Sequence, residues 1–162
     1  MSRDSGPIEI RELPHDPALT EELIAWQIDF YAPSFPSFDH ADWTSFYGDW
    51  FTGSRGRLPV VLAGFDNGEF FGSVAVVERD DLTDADQYTP WIAALIVRPD
   101  LRGRGRGLHL LRAALDRCRG MGIPKIYLWT EDRSAWYLGL GWAIEEERTF
   151  RGVPITVMSL DL

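Results

Sequence analysis

The sequence of 162 residues, 45% hydrophobic and 25% charged, has the size and composition of one globular domain, and we expect that domain to span residues 1–162. Its net charge of −9 argues against non-specific binding to nucleic acid or to an anionic membrane, and no apolar run approaches the ~20 residues that cross a bilayer. A single cysteine, Cys118, excludes an internal disulfide and, with no apolar signal stretch near the N-terminus, makes the cytoplasm the expected location.

The first half of the chain predicts a strand, two helices and a pair of strands. Apolar residues at helical spacing mark the two helices, and Pro33 and Pro36 make the segment between them irregular. Asp66-Asn67-Gly68 is a compact turn that joins the two strands into a hairpin. In chain order, these elements span residues 8–13, 17–30, 39–51, 58–65 and 69–78.

The second half alternates strands and helices. Its first strand, residues 91–97, shows no polar alternation, so we expect it to be buried on both faces. The helix that follows has an apolar stripe that ends at Cys118. In chain order, the remaining elements span residues 108–119, 125–130, 133–140, 143–147 and 153–160. Residues 53–57 and the acidic segment 79–90 are predicted loops.

The resulting order is β-α-α-β-β-β-α-β-α-β-β. It predicts an α/β (α+β) fold with a mixed, mostly antiparallel sheet of about seven strands, flanked on its faces by about four helices. The hairpin supplies the antiparallel pairing.

A run of arginine and glycine, residues 98–107, joins the strand at 91–97 to the next helix. A glycine-rich turn that opens a helix presents free backbone N–H groups and the positive end of the helix dipole, which together bind phosphate. Glycine at positions 103, 105 and 107 lets the backbone approach such a ligand closely. This segment therefore predicts a phosphate or pyrophosphate site.

The spacing separates this loop from two other phosphate-binding patterns. No Gly-Lys-Ser/Thr follows, as in a P-loop, and Gly-x-Gly-x-Gly differs from the dinucleotide spacing Gly-x-Gly-x-x-Gly. The pattern Arg-x-x-Gly-x-Gly at Arg102, Gly105 and Gly107, together with Tyr-x-x-Leu-Gly-Trp at 137–142, resembles the GNAT superfamily of acyl-CoA-dependent N-acyltransferases. The resemblance covers about residues 58–162.

The resemblance implies a binding site for acetyl-CoA as the acyl donor. The backbone of Leu95, Ile96 and Val97 would pair with the pantetheine arm, and the loop would hold the pyrophosphate, with its arginine side chains as auxiliary charges. The loop residues in this interpretation are Arg102, Gly103, Arg104, Gly105, Arg106 and Gly107. Arg106 departs from the family, which more often has an apolar residue at this position, and the sequence leaves open whether its side chain faces phosphate or solvent.

Two further roles concern the reaction itself. The resemblance assigns Tyr137 as the general acid that protonates the departing thiolate. A lysine-type amine (pKa ~10.4) would need a base, for which Glu78 is the first choice and Glu131 and Asp81 come next. An α-amine could react without one.

Eight aromatic residues lie where the family's first two helices wall the acceptor site. Helical spacing predicts that most of these rings are core, with Phe35 and Phe38 as exceptions that form a substrate wall or lid on the Pro-interrupted loop. The eight are Trp26, Phe30, Tyr31, Phe35, Phe38, Trp43, Tyr47 and Trp50.

The leading hypothesis is an N-acetyltransferase that moves acetyl from acetyl-CoA to a primary amine of a small molecule or peptide by direct attack in a ternary complex. The alternatives are a non-catalytic acyl-CoA-binding regulatory module and an RNA-binding Arg-Gly segment. His40 and His109 have no partners at metal-ligand spacing, so no metal is expected. A homodimer is expected from the resemblance alone, and the identity of the amine stays open.

Overall fold

The computed structural model describes residues 7–52, 58–80, 82, 85 and 87–162. Within these residues, seven strands and four α-helices follow the predicted order, and the predicted α+β fold with a mostly antiparallel sheet is confirmed. The elements are β1 (Ile8–Glu12), α1 (Pro17–Tyr31), α2 (His40–Thr52), β2 (Val60–Asp66), β3 (Glu69–Val77), β4 (Trp91–Val97), α3 (Arg106–Gly120), β5 (Lys125–Thr130), α4 (Ser134–Gly139), β6 (Ala143–Phe150) and β7 (Val153–Asp161). No helix in this part of the chain is long and apolar enough to span a membrane.

Local sequence explains where the helices begin. The carboxylate of Asp16 accepts a hydrogen bond of 2.9 Å from the N–H of Ala18 and so caps α1, whose first residue is Pro17. Helix α3 begins at Arg106, two residues before the predicted start, because Gly105 adopts a left-handed conformation that closes the loop directly onto the helix. Strand β6 continues to Phe150, three residues beyond the predicted end.

The sheet has the strand order β1-β2-β3-β4-β5-β7-β6. All neighbouring strands are antiparallel except β4 and β5, which are parallel and share the single register pair Trp91↔Tyr127. Beyond that pair the two strands part, and β4 continues for six residues without a partner on its β5 side in the described register. The sheet therefore opens at its centre.

Two apolar layers cover the two faces of the sheet. Helices α1 and α2 pack on one face with a core that includes Leu23, Ile24 and Tyr47. Helix α3 packs on the other face through the buried residues Leu110, Leu111, Ala114, Leu115 and Cys118, so the predicted stripe of this helix is largely right. Each apolar layer thus includes residues from both halves of the parted sheet.

A bulge interrupts β4 where the sheet opens. Ala94 has a φ of +53°, the register with β3 shifts between Ser73 and Ala75, and Ala93 and Ala94 consequently face the same layer. The fully buried side chain of Gln27 donates from Nε2 to the carbonyl of Ala94 at 3.1 Å and to the hydroxyl of Tyr47 at 3.2 Å. The first two helices are therefore tied by hydrogen bonds to the bulge.

Three expectations about burial are wrong. The centre of β4, residues 93–95, is half-exposed rather than buried on both faces, because these residues lie beside the gap between β4 and β5. Phe35 and Phe38, expected to be the less buried rings, are 1% and 6% exposed, since they pack on each other and on Phe150. Phe30, expected in the core, is 38% exposed. Residues 53–57, and Asp81 and most of its neighbours in the acidic loop, lie outside the described residues.

Gly72 fixes the spacing between β3 and β4. A Cβ at this position would lie 2.4 Å from the carbonyl oxygen of Ile96 and 3.1 Å from Cδ1 of Leu110, so only glycine lets β4 and α3 approach this closely. Gly72 pairs with Val97, the last residue before the Arg/Gly loop. The close approach therefore positions the end of β4.

We predict opposite effects on stability from two glycine-to-alanine substitutions. Gly72→Ala should lower the free energy of unfolding by about 2 kcal/mol or more, because backbone atoms must shift to admit the Cβ. Gly48→Ala, in helix α2 with open space around the added methyl group, should raise it by about 0.5–1 kcal/mol. Urea denaturation followed by circular dichroism measures both, and a Gly72→Ala protein as stable as the parent would contradict the packing.

Candidate functional site

A cavity of about 780 Å³ occupies the gap between β4 and β5. It reaches from the Arg/Gly loop on one side of the sheet to the aromatic layer under α1 and α2 on the other. Residues 92–97 of β4 and residues 128–130 at the end of β5 form its two edges. The opening in the sheet, the loop and both helical layers thus meet at one place.

The Arg/Gly loop closes one end of the cavity. Gly103 and Gly105 have φ values of +78° and +80°, are exposed, and have no other atom within 4 Å of an added Cβ. The first N–H groups of an α-helix have no intrahelical acceptor. In α3 no side chain caps these groups, and no acidic residue lies in the first turn. The positive end of the α3 dipole therefore lies at the cavity without a counter-charge from its own first turn.

The arginine side chains of the loop also make contacts within the protein. Arg102 donates from Nε to the carbonyl of Val97 at 2.9 Å, and its guanidinium lies 5.3 Å from the ring centroid of Phe30. Arg106 forms a part-buried ion pair with Asp66 rather than extending into solvent, and it lines the cavity. Arg104 is exposed and does not line the cavity.

Five residues of the loop line one end of the cavity. They are Arg102, Gly103, Gly105, Arg106 and Gly107. The structure therefore brings these loop residues together at the cavity, while the side chains of Arg102 and Arg106 are braced by contacts within the protein. Arg98, just before the loop, is braced in the same way by ion pairs to Glu69 at 2.8 Å and Asp100 at 2.7 Å.

The edge of β4 supplies a second group of predicted residues. Leu95, Ile96 and Val97 line the cavity on the side where β5 has moved away. Their strand continues directly into the loop through the short 3₁₀ turn Pro99–Leu101. An elongated ligand that lies on the loop can therefore continue along β4.

Tyr137 lines the cavity from helix α4, opposite β4. Its ring is 8% exposed and packs edge-to-face against Trp136 and Trp142, with centroids 4.9 and 5.7 Å away. Burial raises the pKa of Tyr137 to about 12, an effect that the positive charge of Arg133 partly offsets. The phenol is therefore protonated throughout the physiological pH range.

The structure separates the carboxylates that the sequence offers as bases. Glu131 lies just beyond the end of β5, lines the cavity, and accepts a hydrogen bond of 2.6 Å from the hydroxyl of Ser34. Glu78, which is exposed as Glu131 is, lines a smaller neighbouring cavity of about 490 Å³ rather than the main one. Asp81 lies outside the described residues. Placement therefore favours Glu131 over Glu78.

The aromatic layer forms the end of the cavity beyond β4, away from α3. Of the two predicted substrate-wall residues, Phe38 lines the cavity, whereas Phe35 packs behind it on Trp129 and Phe150. Further rings that line the cavity belong to Phe30, Tyr31, Trp43, Phe46, Trp50, Trp129 and Trp136.

Two residues of this region were not singled out from the sequence. Ser34 holds Glu131, and Gln27 holds the β4 bulge. Gln27 has a readable signal, because it is a polar residue four positions after Leu23 on the buried stripe of α1. Ser34 has none, since its partner is 97 residues away in the sequence.

Cys118 lies in the core of the α3 layer. It is fully buried, and burial raises the pKa of its thiol to about 11, so it packs as a small apolar side chain, as predicted. In the described part of the chain, no three His, Cys, Asp or Glu side chains are grouped as metal ligands would be.

The chain is similar to known acetyltransferases. The sequence model of the acetyltransferase (GNAT) family matches residues 20–138. No curated protein matches the sequence at a significant level.

Solved structures share the fold at low sequence identity. One is an aminoglycoside 6′-N-acetyltransferase complexed with coenzyme A, at 15% identity and a TM-score of 0.72 over 94% of this chain and 96% of that one. PaiA N-acetyltransferase from Thermoplasma acidophilum, in complex with coenzyme A, gives 17% identity and 0.73 over 96% and 99%. YncA, a putative acetyltransferase from Salmonella typhimurium with acetyl-CoA, gives 20% identity and 0.72 over 96% and 94%.

The family match covers most of the chain and includes the strand, loop and helices that build the cavity. The solved structures share the fold that those elements form. The chain belongs to the GNAT acetyltransferase family and is an acyltransferase.

Proposed function

We propose that the protein transfers acetyl from acetyl-CoA to a primary amine of a small molecule or peptide by direct attack while both substrates are bound. One observation carries this proposal: a single cavity joins the glycine loop at the start of α3, the open edge of β4 and the buried Tyr137. These are the parts needed to hold an anionic thioester, polarise its carbonyl and protonate its sulfur.

The loop residues that line the cavity are suited to bind the phosphates of acetyl-CoA. N–H groups at the beginning of α3 and the left-handed glycines Gly103 and Gly105 offer donors without side chains that would block a phosphate. The open edge of β4, with Leu95, Ile96 and Val97, offers backbone groups to the amides of the pantetheine arm. Acetyl-CoA would therefore bind to N–H groups that have no acceptor within α3 and to backbone groups of β4 that have no partner on β5.

The acyl donor supplies a thioester, a carbonyl carbon with a good leaving group. As the amine nitrogen forms its bond to that carbon and the C–S bond breaks, a β4 N–H would stabilise the negative charge on the oxygen. Tyr137 would give its phenolic proton to the departing sulfur. The nitrogen, which carries a surplus proton after the attack, would release it to solvent, and the tyrosinate would take up a proton from solvent in turn. The high pKa of Tyr137 keeps this proton in place until the thiolate develops.

The amine needs to be neutral to attack. Removing a proton from a lysine-type ammonium at pH 7 costs roughly 4–5 kcal/mol. Glu131, anchored by Ser34 and facing the cavity, is the carboxylate placed to accept that proton directly or through water. Glu78, in the neighbouring cavity, is the second candidate for this role.

Direct attack is favoured over an acyl-enzyme. The one thiol of the chain, Cys118, is buried in the α3 layer and does not line the cavity. Its raised pKa disfavours the thiolate that a covalent route would need.

Calorimetric titration of loop variants with acetyl-CoA tests the binding site. Gly105→Val should raise the Kd for acetyl-CoA at least about tenfold, since a β-branched residue at a φ of +80° forces the loop to rearrange. Gly152→Val is a matched control: its φ is also +80° and it has equally open surroundings, in the turn between β6 and β7. Unchanged acetyl-CoA affinity in Gly105→Val, or equal loss in both variants, would argue against the loop as the site.

We predict that Tyr137→Phe lowers kcat by about 100-fold while the Kd for acetyl-CoA stays within about twofold. In the parent enzyme, the acid form of Tyr137 is lost only as pH rises through about 12, so kcat should show no alkaline decline below pH 10. Thiol release and calorimetry measure the two quantities. An equal loss of acetyl-CoA affinity and turnover would mean that the tyrosine is structural.

Glu131→Gln and Glu78→Gln separate the two candidate bases. Glu131→Gln should lower kcat/KM for an alkylamine at pH 7 by about 10- to 100-fold, and the deficit should shrink as pH approaches the pKa of the amine. Glu78→Gln should change kcat/KM by less than about twofold. The reverse pattern would assign the role to Glu78, and a deficit in Glu131→Gln that does not vary with pH would mean that this residue acts through structure alone.

A further inference from the structure

The acceptor end of the cavity is walled by aromatic rings. All six of these rings belong to the apolar layer between the sheet and helices α1 and α2. They are Tyr31, Phe38, Trp43, Phe46, Trp50 and Trp129. Such a wall offers a large apolar contact area and ring faces that attract a cation.

The rings are packed differently within this wall. Phe38 and Trp43 are buried and form its base, with ring centroids 6.3 Å apart. Phe46 and Trp50, on successive turns of α2, are half-buried and stack on each other at 6.2 Å with an interplanar angle of 19°. A layer that is buried at its base and half-exposed at this pair provides a surface for a flat apolar group.

Among the residues that the structure describes, charge at this end of the cavity is nearly balanced. Three carboxylates of that part of the chain line it, those of Asp80, Glu131 and Asp132, alongside the guanidinium groups of Arg79 and Arg133. Asp132 and Arg133 lie 4.0 Å apart and offset each other. Each ammonium group that enters the cavity loses water and needs a carboxylate to offset that cost. The described carboxylates are too few for a polycation with several ammonium groups, whereas Glu131 can pair with a single ammonium.

We propose that the acceptor is a primary amine with a single positive charge, carried on an aromatic or similarly bulky apolar body. This inference rests on the proposed acetyl transfer and adds the class of amine. The ammonium group lies towards Glu131, which Ser34 holds at the end of β5, and the apolar body packs on the rings of α2. Phe46 and Trp50 are the specificity-determining residues.

A matched pair of amines tests the inference. At saturating acetyl-CoA, thiol release is measured with 3-phenylpropylamine, n-propylamine and kanamycin. Because the two monoamines differ by one phenyl ring, kcat/KM for 3-phenylpropylamine should be at least about 30-fold higher. Kanamycin, a polycation, should be no better than n-propylamine.

Substitutions on α2 test which residues cause the preference for the aromatic amine. Phe46→Leu and Trp50→Leu should each reduce the ratio of kcat/KM for the two monoamines by about 3- to 10-fold, with the Kd for acetyl-CoA unchanged. Phe51→Leu is the matched control, since Phe51 is also on α2 but packs on His15, 4.3 Å away, and does not line the cavity. It should leave the ratio unchanged.

The outcomes separate this inference from the proposed function. A ratio near one, a preference for kanamycin, no turnover of 3-phenylpropylamine, or an unchanged ratio in both α2 variants would overturn the aromatic acceptor. If acetyl-CoA still binds the same preparation in calorimetry, the proposed donor site stands. If acetyl-CoA does not bind, both proposals fall.

Discussion

The cavity exists because β4 and β5 part after one register pair. A parallel pair normally continues its hydrogen bonds along both strands, but here a single register pair, Trp91↔Tyr127, is followed by divergence. The cost is a row of backbone groups without a strand partner at the centre of the sheet. The same divergence creates the cavity and leaves β4 free to bind a ligand that resembles a strand in its hydrogen bonding. Helices on both faces, the tie from Gln27 to the bulge and the close approach at Gly72 hold this opening in place.

Much of the fold could be predicted from the sequence because local patterns determine it. Helical stripes, the turn at Asp66-Asn67-Gly68 and the glycines of the loop each specify their own conformation, and the structure places them as expected. Tyr137 could be named from its motif, and the structure places it at the cavity. These are features in which the information lies within a few residues of the chain.

The remaining features depend on distant residues. Arg106 pairs with Asp66, 40 positions earlier, so its side chain could not be placed from the loop alone. The burial of Phe35 and Phe38 follows from Phe150, and the position of Glu131 follows from Ser34. The centre of β4 is half-exposed because β5 diverges from β4 after one register pair. The residues of β4 alone contain no pattern that predicts this divergence. Tertiary packing thus decided which arginine, which ring and which carboxylate face the cavity.

We propose that the cavity binds acetyl-CoA through the loop at the start of α3 and the edge of β4. Calorimetric titration of the unmodified protein with acetyl-CoA, and with ATP as a phosphate-bearing control, tests this binding without relying on any variant. We expect micromolar binding of acetyl-CoA, about −8 kcal/mol, and much weaker binding of ATP, which has no arm to lie along β4. No binding of acetyl-CoA, or equal binding of ATP, would contradict it.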